Sequence, residues 1–408
     1  MIQADDPYGA VLAARASTIS SACVHAGEAP DPVTRALEVP LVLSNAFEFD
    51  SGDTAEAAFR GEKGVYIYGR WGNPSVAALE AKLAVLEGAE AACVAASGMA
   101  AISGTILAFC AEGSHVVAPR SLYGESARLF RERLPRFGIT ATFVDATEPE
   151  AYARAVRPET RILYMETPAN PNLAITDIER VVGLAMGRGL LTILDNTFAT
   201  PFAQTPLALG VDIVIHSMTK ALSGHGDAIG GVVLGGKSDV ARVHDTVVKG
   251  LGGALSPFNA FLIARGLRTF ALRQRQACET AALLARRLSG HPAVERVHHP
   301  SLRSDPGHEV ASRQMHAYGS ILSFELKETS ARSALELARR LPEGLRLIRH
   351  AVSLGDVRSL LIHPASTTHS TMPKEDRALA KIPDGLVRLS VGIESADDLW
   401  QDLRRGLE

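Results

Sequence analysis

The chain has 408 residues and a formal net charge of −3, from 42 Lys+Arg against 45 Asp+Glu. That length accommodates two core-bearing domains and an arm, and so small a net charge provides no field to attract nucleic acid or an anionic membrane. With 46% hydrophobic and 21% charged residues the composition is that of a soluble globular protein; no stretch approaches the roughly 20 apolar residues of a membrane span, and residues 1–10 lack the apolar core of a signal peptide.

In chain order, residues 1 to about 60 are mixed, and Pro30, Pro32 and Pro40 interrupt any long helix, which suggests an arm packing on a neighbouring subunit. Residues 75–87 have helical apolar spacing and stop at Gly88. Residues 91–95 form a short apolar run, and 100–109 are again helical. Strand patterns at 114–118 and 140–144 flank a helical stretch at 126–137. Apolar strands at 161–165 and 190–194 flank a helix around 178–186, and a further strand follows at 211–215. Strands alternating with helices predict a mostly parallel sheet covered on both faces, with ligands bound beyond the carboxyl ends of its strands.

After about residue 271 the pattern shifts to a smaller α+β domain. A helix at 277–288 ends at Gly290, His291 and Pro292, and strands at 321–326 and 386–391 bracket a helix around 331–341. The expected division is an arm (1–72), a cofactor-binding domain (73–270) and a C-terminal domain (271–408). Cys23, Cys93, Cys110 and Cys278 lie far apart without a CxxC pair, so they read as reduced thiols of a cytoplasmic protein.

Two strand ends carry unusual residues. Asp195 directly follows the apolar run Leu191–Leu194, where a carboxylate is costly unless it is paired or hydrogen-bonded. Taken alone, a helix cap or a metal ligand accounts for it. Lys220 follows Val211–Ile215 and the hydroxyl residues Ser217 and Thr219, and a glycine-rich loop comes after it. Taken alone, it is a solvated charge. Together they meet the two needs of pyridoxal phosphate: a carboxylate for the pyridinium nitrogen and an amine for the aldehyde carbon. The phosphate needs donors. Ala96-Ser-Gly98-Met99 opens a helix after a strand, Gly98 admits close backbone approach, and Ser217 and Thr219 add hydroxyls.

Five stretches, Tyr68–Pro74, Ala96–Ile102, Glu166–Pro171, Asp195–Pro201 and His216–Lys220, together with Ala254–Phe258, His363–His369 and Gly385–Gly392, resemble in order the Cys/Met-metabolism family of pyridoxal-phosphate enzymes. The resemblance spans nearly the whole chain. It implies the fold-type-I, aminotransferase-like α/β architecture and a homotetramer built as a dimer of dimers. It also implies roles. Lys220 is the Schiff-base lysine and proton shuttle, and Tyr123 the ring-stacking tyrosine that also transfers protons. Asp195 pairs with the ring nitrogen and Asn170 contacts the ring hydroxyl. Gly98, Met99, Ser217 and Thr219 hold the phosphate, and Tyr68 and Arg70 reach the neighbouring subunit's phosphate. Arg388 grips the substrate α-carboxylate with help from Ser353.

Among the family's siblings, members acting on cystathionine carry a glutamate just before the serine of a Ser-Leu-Gly motif; here Val352 stands there, as in methionine γ-lyases. The segments Ser256–Phe261 and Ser366–His369 look more like the sulfhydrylases. The expected reaction is therefore γ-elimination on a sulfur- or oxygen-substituted homoserine-type amino acid, with γ-replacement as the alternative. Glu125 departs from the family, where glycine or cysteine is common. It is expected either to touch the distal end of the substrate or to face solvent and pair with Arg128. His298, His299 and His363 read as loop or core residues, and no metal site is expected.

Overall fold

The computed structural model describes residues 19–62 and 64–408, so the first 18 residues of the expected arm lie outside the described residues. Strands in chain order are β1 (Ala91–Ala95), β2 (His115–Pro119), β3 (Thr140–Val144), β4 (Thr160–Glu166), β5 (Leu191–Asp195), β6 (Ile213–Ser217) and β7 (Gly231–Gly235). The later ones are β8 (Val294–His298), β9 (Ile321–Leu326), β10 (Arg349–His350), β11 (Leu360–Ile362) and β12 (Leu386–Ser390). Two compact units form. One holds the described residues as far as Phe109 with Ile213–Ala271; the other holds Cys110–Asp212 with Leu272–Glu408.

In the first unit β7 lies between β1 and β6 and runs antiparallel to both, with Val233 opposite Cys93 on one side and Ile215 on the other. Helix Pro74–Glu87 begins with Pro74 in its first turn after Asn73, whose side chain accepts from the N–H groups of Ser75 and Val76, and it stops at Gly88 with φ 75°. Glu87 at its end meets His216 of β6 at 2.7 Å, both fully buried.

In the second unit β3, β2, β4 and β5 are neighbours in that order and all parallel, as the alternating pattern predicts. A second sheet in the order β10-β11-β12-β9-β8 is antiparallel apart from the β10–β11 pair. Leu284, Leu288, Phe324, Leu341, Leu389 and Leu399 join the core beneath it. The helix expected at 126–137 is broken: an α-helical turn (Gly124–Arg128) passes into a π-turn (Leu129–Arg133) and a 3-10 turn (Leu134–Phe137). Pro135 has no N–H to return to the preceding turn, so the hydrogen-bond ladder changes step.

Candidate active site

The first unit holds the lysine and the anion-binding candidates. Strand β1 passes through Ala96 and Ser97 into helix Gly98–Phe109, and Ser97 Oγ accepts from the N–H of Ala100. A Cβ on Gly98 would lie 2.8 Å from Ser217 Cβ, and one on Gly231 would lie 2.2 Å from the Ser97 carbonyl. Glycine at both positions brings this helix start against the end of β6. Beyond Ser217 the chain turns: Lys220 N–H donates to the Ser217 carbonyl at 3.2 Å, and Thr219 Oγ1 accepts from Gly230 N–H at 3.1 Å. Gly224, whose N–H donates to the Lys220 carbonyl, and Gly226 have φ of 75° and 68°, conformations that favour glycine. Gly98, Met99, Ser217, Thr219 and Lys220 thus share one small region. Tyr68 and Arg70 form their own group, with the Arg70 guanidinium 5.7 Å from the Tyr68 ring centre and donating to the Val248 and Lys249 carbonyls.

The second unit holds the carboxylates, the tyrosine and the arginine. Asp195 closes β5, only 7% exposed, and its Oδ1 accepts from the N–H and hydroxyl of Thr197 at 3.0 and 2.5 Å. Opposite it in the register, Glu166 closes β4. Sequence reasoning assigned Glu166 no role; its signals were its place at the head of the family-like stretch Glu166–Pro171 and a carboxyl at a strand end, the same signal that marked Asp195. Its Oε2 accepts from the Tyr123 N–H at 3.0 Å and its Oε1 from the Asn170 N–H at 2.9 Å. Burial and the facing Asp195 push its carboxyl above the usual range. Tyr123 is 38% exposed, and burial followed by the Glu125 carboxylate raises its phenol, which therefore keeps its proton at neutral pH.

Arg388 lies mid-strand in β12, 3% exposed. Its Nη1 donates to Asn170 Oδ1 and its Nη2 to the Ser353 carbonyl, both at 2.9 Å, while its buried Nε has no partner. Burial lowers its pKa to about 10, so it remains a cation at neutral pH. A buried guanidinium oriented by two neighbours, with a donor still to satisfy, suits a carboxylate. Glu125 is half-exposed and sits 3.9 Å from Arg128 and 3.7 Å from Arg133. Val352, beside Ser353, is 65% exposed. The histidines are engaged by protein: His298 by Glu325, His299 by Ser301 and the Gly319 carbonyl, His363 by Ser366 and the Asp384 carbonyl.

Each unit, taken by itself, suits part of a phosphorylated pyridine aldehyde. One unit presents an amine, two hydroxyls and a glycine-lined helix start; the other presents a buried carboxylate, an accessible tyrosine ring and an arginine with an unsatisfied donor. Residues 20–408 match the family model described as Cys/Met metabolism PLP-dependent enzyme. An L-methionine γ-lyase of Fusobacterium nucleatum subsp. polymorphum is 44% identical over 392 residues, covering 96% of this chain and 98% of that protein. The cystathionine β-lyase MetC of Bacillus subtilis is 42% identical over 391 residues, 96% of each. Among solved structures, a cystathionine γ-synthase of Xanthomonas oryzae pv. oryzae, in complex with aminoacrylate and cysteine, superposes with a TM-score of 0.88 at 41% identity, covering 96% of this chain and 97% of that one.

Proposed function

The chain belongs to the Cys/Met-metabolism family of pyridoxal-phosphate-dependent enzymes, and on that premise we propose that it catalyses γ-elimination on a sulfur- or oxygen-substituted homoserine-type amino acid, consuming one water and releasing a 2-oxo acid, ammonia and, from a thioether, a thiol. The observation that carries the choice is Val352. Where siblings acting on cystathionine present a carboxylate, this chain presents an exposed apolar side chain next to the carboxylate-binding segment. Its similarity to methionine γ-lyases over nearly the full length supports the same reading.

The bound cofactor supplies an electron sink that makes protons at the substrate Cα and Cβ removable. In this proposal Lys220 Nζ would hold the aldehyde carbon and, once freed by the substrate amine, would carry protons among Cα, Cβ and Cγ, while Asp195 would keep the ring nitrogen protonated. Asn170 contacts the ring hydroxyl, and Gly98, Met99, Ser217 and Thr219 bind the phosphate. Tyr123 stacks on the ring, and its phenol is positioned to give a proton to the leaving group at Cγ. Arg388 fixes the α-carboxylate through two or more N–H donors, supported by Ser353. Glu125 disfavours an anionic leaving group.

The active form proposed is a homotetramer of two dimers, in which Tyr68 and Arg70 serve the neighbour's phosphate. Val33, Leu37, Leu43, Phe59, Leu251 and Phe258, all exposed in the single chain, support such burial. The arm (1–72), cofactor-binding domain (73–270) and C-terminal domain (271–408) are the functional parts of this assembly. Buried thiols and the absence, among the described residues, of a helix able to cross a membrane accord with a cytoplasmic location.

γ-Replacement is the second reading, supported by the likeness to the cystathionine γ-synthase structure. O-acetylhomoserine separates the two. Under elimination, 2-oxobutanoate forms at the same rate with and without sulfide. Homocysteine formed only with sulfide, and no oxo acid without it, would select replacement.

A further inference from the structure

Glu166 is buried, 4% exposed, and both of its carboxyl oxygens are spent on backbone donors from different segments. One donor, Tyr123, stands 43 residues upstream at the entry to helix Gly124–Arg128; the other, Asn170, lies in the loop after β4. Asn170 then accepts from Arg388 through Oδ1. A continuous path of hydrogen bonds runs Tyr123, Glu166, Asn170, Arg388. The far side of the Tyr123 turn is held as well: His369 Nε2 lies 3.2 Å from the Leu122 carbonyl, and a Cβ on Gly124 would come within 2.3 Å of the Thr368 carbonyl. A buried carboxyl is costly unless its acceptor sites are filled. Here they are filled by the two segments that seat the tyrosine and aim the arginine.

We propose that Glu166 is a positioning residue: its carboxyl sets the seat of Tyr123 and, through Asn170, the aim of Arg388, so that ring contact and carboxylate grip are fixed by one side chain. This rests on the roles proposed above for Tyr123 and Arg388. Glutamine at 166 has nearly the same shape but only one carbonyl oxygen, and its amide would face one of the two N–H donors. Either the Tyr123 turn or Asn170 then loses its anchor.

The test uses holoenzyme and two probes followed by the absorbance of the bound cofactor. L-alanine has an α-carboxylate and no γ-substituent, so its binding does not depend on which reaction the enzyme performs. Ethylamine lacks the carboxylate. Glu166→Gln is expected to weaken alanine by roughly tenfold or more and ethylamine by no more than about threefold. Unchanged alanine affinity, or equal losses for both probes, would overturn the proposal, since general loosening affects both alike. A wild-type protein that takes up cofactor and alanine while the variant matches it refutes only the role of Glu166; one that takes up neither refutes the site assignment as well. If the variant does not fold, hydrogen exchange on the wild type decides: the Tyr123 and Asn170 amides should exchange about 100-fold more slowly than unprotected loop amides. Fast exchange at both would contradict the anchoring.

Discussion

Arg388 occupies a seat that a lysine cannot fill. Its planar head spends Nη1 on Asn170 and Nη2 on the Ser353 carbonyl, and a compact ammonium cannot address those groups and a carboxylate in one plane. Steady-state kinetics of Arg388→Lys should show KM for the amino-acid substrate raised about 100-fold, with a smaller effect on kcat. An unchanged KM would remove Arg388 from carboxylate binding. Glu125 is exposed enough that its contacts with Arg128 and Arg133 contribute little to stability. Its value under this account is selective: Glu125→Gly should raise turnover of O-succinylhomoserine relative to O-acetylhomoserine, and an unchanged ranking would refute the assignment. Asp195 was marked in the sequence by a carboxylate closing an apolar strand and Lys220 by its pairing with Asp195, whereas Arg388 was marked only by the family resemblance. The role of Glu166 was not legible, because it depends on where the backbone N–H of Tyr123 lies in space.

At the scale of elements, the parallel strands β2 to β5 and helix Pro74–Glu87 were readable from periodicity and caps. Strand β7 was not, because Gly230 and Gly231 look like loop; their glycines instead reflect close neighbours, Ser97 at Gly231 and Met218 at Gly230. Strand β11 has three residues, too few to show a period. The C-terminal helix Ala396–Leu407 carries a fastening that patterning also hides. Asp402 accepts from the N–H groups of Arg346, Leu347 and Ile348, each at 2.9 Å. Burial pushes this carboxyl up, but the three donors and nearby Arg405 outweigh burial and leave it below its ordinary value. A depressed carboxylate contributes stability above its unfolded pKa and loses it as pH falls through the folded one. Asp402→Asn should therefore cost about 2–3 kcal/mol at pH 7, and the gap from wild type in thermal or urea unfolding should narrow below about pH 4. A gap that stays constant down to pH 3 would show that the charge of Asp402 is not what holds the segment.

For the molecule as a whole, the proposed sharing of residues between subunits makes activity a property of pairs. Arg70→Ala and Lys220→Ala chains should each be nearly inactive alone. Coexpressed, they should recover roughly a quarter of wild-type activity, because half of the randomly paired dimers carry one site with both residues intact. Activity that stays at background in the mixture would place Arg70 in its own subunit's site or outside any site. The exposed apolar side chains of the first unit were invisible as a group in the sequence, where Val33, Leu37, Phe59 and Phe258 are scattered singly. Family resemblance pointed to an oligomer, and only the folded chain shows which apolar side chains are exposed in the single chain.

The claim on which the account turns is that substrate breaks at the γ-bond without a second substrate. The direct measurement is purified holoenzyme with L-methionine as the only addition, assayed for 2-oxobutanoate and ammonia. The account predicts both in equal amounts, with methanethiol released alongside. No oxo acid from methionine or homocysteine, with turnover confined to an acylhomoserine plus sulfide, would contradict it.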